Sequence, residues 1–307
     1  MNVHDIAGRP VPGLAAALSH GPAAPAQGLV ALPWFPFEVT SSAGCRAGAA
    51  RLARRAERAY WLLRQTLDIA PTLRLRVLDR AAWRRYAEAD EFGVMHVNAA
   101  GDLVVGAEPA DAWTGVSAWL ADHLDADTRT QLVRIHGADP RTRGPALGPL
   151  AEALIAHEIG HLFAAAADVR FPARWLAEAF ANYAMVAVLG ETDPIGLRRL
   201  GSLADAAATL RAHTPSLAQF DAEFGRMDVV PSVLAQLALT RGVYQTYAAA
   251  QAAPLARLAT LFGPAARALD ASMTHTVGLR QHLALHAHAT LAAIPDLFPA
   301  APFRAAA

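Results

Sequence analysis

Apolar positions recur at helical spacing from Ser42 to about Asp68. Leu52, Ala56, Ala59, Tyr60 and Leu63 line one side of a stretch otherwise rich in arginine. This periodicity predicts one long amphipathic helix, with Pro71 ending it. The next segment, Leu73-Arg-Leu-Arg-Val-Leu78, alternates with period two and predicts a half-buried strand. A short helix is expected over 81–89. Segments 93–96 and 102–106 flank Asn98-Ala-Ala-Gly101, a strand–turn–strand pattern that reads as a hairpin. Residues 112–136 read as one helix, and 139–149, punctuated by Pro140, Gly144, Gly148 and Pro149, as a loop. From Leu150 onward the pattern is helical, with helices expected at 150–166, 173–189, 195–211, 231–251, 254–261 and 264–291. Ahead of all this, Pro10, Pro12, Pro22, Pro25, Pro33 and Pro36 forbid long helices, so residues 1–41 read as an extended lead-in.

A small mixed sheet followed by a run of helices is an α+β arrangement. The pattern divides the chain into a Pro/Gly/Ala-rich segment (1–41), an α/β lobe (42–166), a helical lobe (167–294) and a C-terminal tail (295–307). The boundary between lobes is expected just after the 150–166 helix.

Hydrophobic residues make up 54% of the chain, enough for a packed core. The 27 basic and 27 acidic residues cancel, so the dense basic face that nucleic-acid binding requires is not expected. Arg51, Arg54, Arg55 and Arg58 cluster at helical spacing beside Glu57 and read as a solvated helix face. With Cys45 the only cysteine, no internal disulfide forms. No secretory signal pattern is visible at the N-terminus, and no apolar run reaches the roughly 18 residues that span a bilayer. A cytoplasmic protein without a membrane partner is the expectation; the oligomeric state is left open.

The chemistry concentrates in Ala156-His157-Glu158-Ile159-Gly160-His161-Leu162. Residues four apart share a helix face, so His157 and His161 can present two imidazoles to one ion. Glu158 points beside the ion, where it can take a proton from a water polarised by the metal. Leu154, Ile155, Ile159, Leu162 and Phe163 make the surroundings apolar, and charged groups in such a segment call for a partner or a metal. Two imidazoles with one position left open suit zinc. A third ligand is expected nearby. Glu178 is the lone acid in the apolar segment Trp175-Leu-Ala-Glu-Ala-Phe-Ala-Asn-Tyr183, and the loop of about 166–172 is long enough to turn this helix back against the first.

HEIGH followed by WLAEAFANY resembles the gluzincin metallopeptidases, the HExxH-plus-downstream-glutamate group of the peptidase MA-like kind. The resemblance is strongest over 150–190 and compatible with the layout of 70–265. It implies a thermolysin-like catalytic fold, one zinc per chain held by His157, His161 and Glu178, and Glu158 as general base. It also implies an edge strand that aligns a peptide or protein substrate, for which the 93–106 hairpin is the candidate. Gluzincins commonly supply an oxyanion-stabilising tyrosine or histidine from the C-terminal lobe; Tyr244 and Tyr247 are both candidates here. Where some members carry an aspartate four residues beyond the ligand glutamate, this chain has Asn182, whose amide oxygen can still accept an imidazole N–H, without charge. The glycine common after the ligand glutamate is Ala179, and no G-x-M-E-N-like signature precedes the motif, which argues against classical aminopeptidase activity. The expected function is zinc-dependent peptide-bond hydrolysis. The alternatives are a binding or regulatory protein on the same scaffold, and a hydrolase of non-peptide amides or esters.

Other signals read more plainly. His282, His286 and His288 lack an accompanying carboxylate and read as a helix face. His96 reads as a strand residue, Cys45 as an inert thiol at a helix start, and Trp113 and Trp119 as core. Gly137, Gly144 and Gly148 form no phosphate-loop pattern.

Overall fold

The computed structural model describes residues 28–249 except 90, 168, 170 and 172, together with 3, 4, 10, 11, 297 and 298. Two short strands near the start, β1 (Val3–His4) and β2 (Pro10–Val11), pair antiparallel. The remaining strands form one five-stranded mixed sheet: β3 (Leu29–Ala31), β4 (Glu38–Ser42), β5 (Arg74–Leu78), β6 (His96–Val97) and β7 (Leu103–Gly106), in the order β3-β4-β5-β7-β6. The three central strands run parallel, and β3 and β6 pair antiparallel at the two edges. The small mixed sheet with helices around it is an α+β fold.

Residues 29–41, read from the sequence as part of a proline-rich lead-in, contribute two of these strands together with Ser42. Pro33 and Pro36 fall in the connection between them, where no ladder N–H is needed. The 93–106 hairpin is present as β6 and β7. It turns at Gly101, whose φ of 78° is in the region glycine enters without strain, and whose N–H donates to the Asn98 carbonyl at 2.9 Å.

The alternation in β5 and β7 sorts side chains between two faces. Leu75, Val77, Leu103 and Val105 enter the main core, while Leu78 and Val104 join Trp83, Ala87 and Phe92 in a smaller cluster on the other side. Arg74 and Arg76 share the second face, where both pair with the buried Asp102.

Helix α1 (Arg46–Leu67) buries Leu52, Ala56, Ala59, Tyr60 and Leu63 along one stripe and stops where Asp68 turns left-handed, three residues before Pro71. Helix α2 (Arg80–Tyr86) is capped by Asp79. The segment expected as one helix over 112–136 is two, α3 (Asp111–His123) and α4 (Ala126–His136). The break is chemical: Leu124 is extended, and the Asp125 carboxylate accepts from the N–H groups of Asp127 and Thr128, starting a new helix.

The next helix is also split, into α5 (Gly148–Ala151) and α6 (Leu154–Ala166). Then come α7 (Arg174–Thr192), α8 (Pro194–Ala208), α9 (Leu217–Glu223) and α10 (Val229–Ala249). Helix α9 has no counterpart in the sequence reading, although Ser216 and Gln219 form a capping box at its start. The helices expected at 254–261 and 264–291, with His282, His286 and His288, lie outside the described residues. None of the helices among the described residues is long and apolar enough to cross a membrane.

Candidate metal centre

Helices α6 and α7 pack against each other, with Glu178 near both His157 and His161 and Asn182 at His157. Their approach is set by Gly160, the fourth residue of the HEIGH pentapeptide. A Cβ there would lie 3.0 Å from the Ala184 Cβ and 3.2 Å from the Ala181 Cα. A glycine inside a helix costs about 1 kcal/mol against alanine. Here the close contact that glycine permits brings the carboxylate of one helix to the imidazoles of the other.

The result is a buried cluster in which one ligand-type atom from each of His157, His161 and Glu178 lies within 4.8 Å of the others. Glu178 Oε2 is 3.2 Å from His157 Nε2 and 3.6 Å from His161 Nε2, and the two Nε2 atoms are 3.1 Å apart. A directed chain of amides holds the geometry. The Asn182 amide oxygen accepts from His157 Nδ1 at 3.0 Å, Asn182 donates to Gln236 Oε1 at 3.2 Å, and Gln236 donates to Glu178 Oε2 at 2.8 Å. With a proton on Nδ1 given to Asn182, loss of the Nε2 proton to a bound metal would leave the His157 Nε2 lone pair facing the cluster. Burial pushes the Glu178 carboxyl up. The charge at His161, the hydrogen bonds from His157 and His161 and the charge at His157 outweigh it and hold the carboxyl well below its usual range.

Two imidazole nitrogens and a carboxylate oxygen therefore converge at a largely buried point. A single proton can bridge only one pair of them, whereas a divalent ion satisfies all three, and this donor set fits zinc.

The cluster opens on a cavity of about 330 Å³. Glu158, 2% exposed, lines it beside His157, with Met95, Met185 and Leu203 among its apolar walls. Val94 and Met95, at the cavity wall, lead directly into the edge strand β6. Glu91 also lines the cavity, its carboxyl raised by partial burial and then by the charge of Asp111.

The two tyrosines are elsewhere. The Tyr244 ring packs on Gly201 of α8, and the Tyr247 hydroxyl occupies the space a Cβ at Gly190 would take. Gly190 is twelve residues beyond Glu178 on α7, about 18 Å along the axis at 1.5 Å per residue. Neither tyrosine lines the cavity. The helix that carries them does reach the site, but through Gln236, eight residues before Tyr244. Periodicity alone does not single out Gln236. The available signal was an amide on the same face as the apolar Val229, Val233 and Leu237.

His96 faces away from the cavity, its ring nitrogens 2.8 Å and 2.6 Å from the carbonyl oxygens of Val94 and Ala87. Burial, then Asp79 and Glu108, push the Cys45 thiol up, opposite to what an activated thiol needs. Trp113 and Trp119 pack partly buried against the core, and Trp113 also forms part of the cavity wall. Comparison with protein-family profiles, with curated proteins and with solved structures found no match to this chain.

Proposed function

We propose that this chain is a zinc-dependent metallopeptidase with a thermolysin-like arrangement of sheet, ligand helices and cleft. The convergence of His157, His161 and Glu178 beside the buried Glu158 carries the reading. Those three residues would hold one zinc ion, which supplies Lewis acidity that polarises a carbonyl and makes water a nucleophile at neutral pH.

The chain's own residues supply the rest. Glu158, 2% exposed at the cavity wall, takes the proton from the attacking water and returns it to the leaving amine. The Asn182–Gln236 relay keeps His157 and Glu178 oriented through the cycle. β6 is an edge strand next to the cavity, so an extended peptide can align along it by backbone hydrogen bonds. The methionine- and leucine-rich wall suits an apolar side chain next to the scissile bond. Neither Tyr244 nor Tyr247 lines the cavity, so no oxyanion donor is assigned to α10.

Elemental analysis of purified wild type, His161→Ala and Glu158→Gln, each screened against a peptide library, tests the reading. The expected result is about one zinc per chain in wild type and Glu158→Gln, little in His161→Ala, and cleavage by wild type alone. Wild type that takes up no zinc after reconstitution at neutral pH would end the proposal.

A further inference from the structure

The arginine run of α1 reads from sequence as a solvated helix face, but the structure gives it an opposing wall. Arg51, Arg54, Arg55 and Arg58 line a groove of about 560 Å³ whose floor includes Ile155 and Ala156 of α6 and Val188 of α7. At 100° per residue, the direction midway between Ile155 and Ala156 lies about 150–170° from His157 and His161 around α6, and the groove shares no lining residue with the cavity at Glu158. The groove is therefore separate from the metal centre.

Two acids also line the groove, and they occupy only part of its positive charge. Glu152 bridges Arg51 and Arg55, the latter at 2.9 Å, and Asp193 is 3.4 Å from Arg55. Neither Arg54 nor Arg58 is in an ion pair with another described residue. The two stand one turn apart on α1, both exposed at the groove, with Cβ atoms about 5–6 Å apart by helical geometry.

We propose that this groove binds a phosphate monoester, its phosphate held between Arg54 and Arg58 and its organic group along Ala47, Ala50 and the aliphatic stems of the lining arginines. Four guanidiniums against two carboxylates leave two positive charges, and a phosphate monoester carries close to two negative charges at neutral pH. Its oxygens cluster at one point and match two guanidinium forks by paired charge-assisted hydrogen bonds. Peptide carboxylates bring one charge each and would need matching spacing.

The test is calorimetric titration of phenyl phosphate into the full chain at low ionic strength, with wild type, Arg54→Gln/Arg58→Gln and His161→Ala. Saturable one-site binding is expected in wild type and in His161→Ala. In the double variant, affinity should fall by about tenfold or more, with an unchanged melting curve, since both arginines are exposed. Binding lost in His161→Ala but kept in the double variant would place the phosphate at the metal centre and overturn the proposal. So would the absence of saturable heat in wild type. Capture by phosphatidic-acid vesicles without binding of phenyl phosphate would overturn it too, turning the arginines toward a membrane surface. Because His161→Ala removes the zinc ligand and leaves the groove intact, failure here and failure of the hydrolase reading are separable.

Discussion

Gly160 and Gln236 carry more of the site than their plain chemistry suggests. At Gly160, alanine would improve helix propensity by about 1 kcal/mol. The same methyl would force α6 and α7 apart, because Ala184 and Ala181 already stand at the limit of contact. Overpacking of this kind typically costs about 1–3 kcal/mol. Gly160→Ala is therefore expected to lower the melting temperature and to weaken zinc binding together; a variant more stable than wild type with unchanged affinity would refute the spacing role. The amide relay makes a second prediction. Asn182→Ala or Gln236→Ala leaves the His157, His161 and Glu178 side chains in place but removes what orients them. Zinc affinity should drop by about 10–100-fold, measured by competition with a chromophoric chelator. Asn182→Asp, which keeps the acceptor and adds charge, should retain or strengthen binding.

At the scale of elements, the start of α7 depends on a neighbour. Ala173 at its N-cap has no side chain to offer, and the Trp175 N–H is instead accepted by the Asp221 carboxylate of α9 at 2.8 Å. Asp221→Ala should destabilise the protein by about 1 kcal/mol in denaturant melts, with Asp221→Asn recovering most of it. Capping chemistry also explains which element boundaries were legible. The long stripe of α1 and the period-two alternation of β5 stand out because each buries one face of a regular element. The break at Asp125 is not legible in the periodicity, which continues across it, so only the cap announces a new start. The α5–α6 break is slight, since Glu152 and Ala153 keep right-handed helical backbone. Glu152, between the two helices, is held by Arg51 and Arg55 of α1, a hundred residues earlier.

For the whole molecule, His136 sets an acid limit on stability. Burial, then the charge of Arg199, lower its pKa to about 4 from the ordinary 6.5, while Ser202 lies at 3.1 Å from its Nε2. Between those two values the unfolded chain binds more protons than the folded one. The contribution is thus complete above about pH 6.5 and lost as pH falls toward about 4. Unfolding free energy should decline on the order of 2 kcal/mol across that window, more steeply than in His136→Gln. Equal slopes in urea melts at pH 6.5, 5.5 and 4.5 would assign the acid sensitivity to other groups.

The amino-acid sequence by itself determined the local facts: the α1 stripe, the β5 alternation, the hairpin turn at Gly101, and a histidine pair sharing one face because four residues make about one helical turn. It also marked Glu178 and Asn182 as polar residues in an apolar helix, since buried charge calls for a partner. Only the tertiary structure decided the rest. It brought strands 29–42 into the sheet, set Gln236 between Asn182 and Glu178, turned Tyr244 and Tyr247 toward α8 and α7, and placed the α1 arginines over a groove. Each of these depends on contacts between residues far apart in the chain, whose energies periodicity and propensity do not contain.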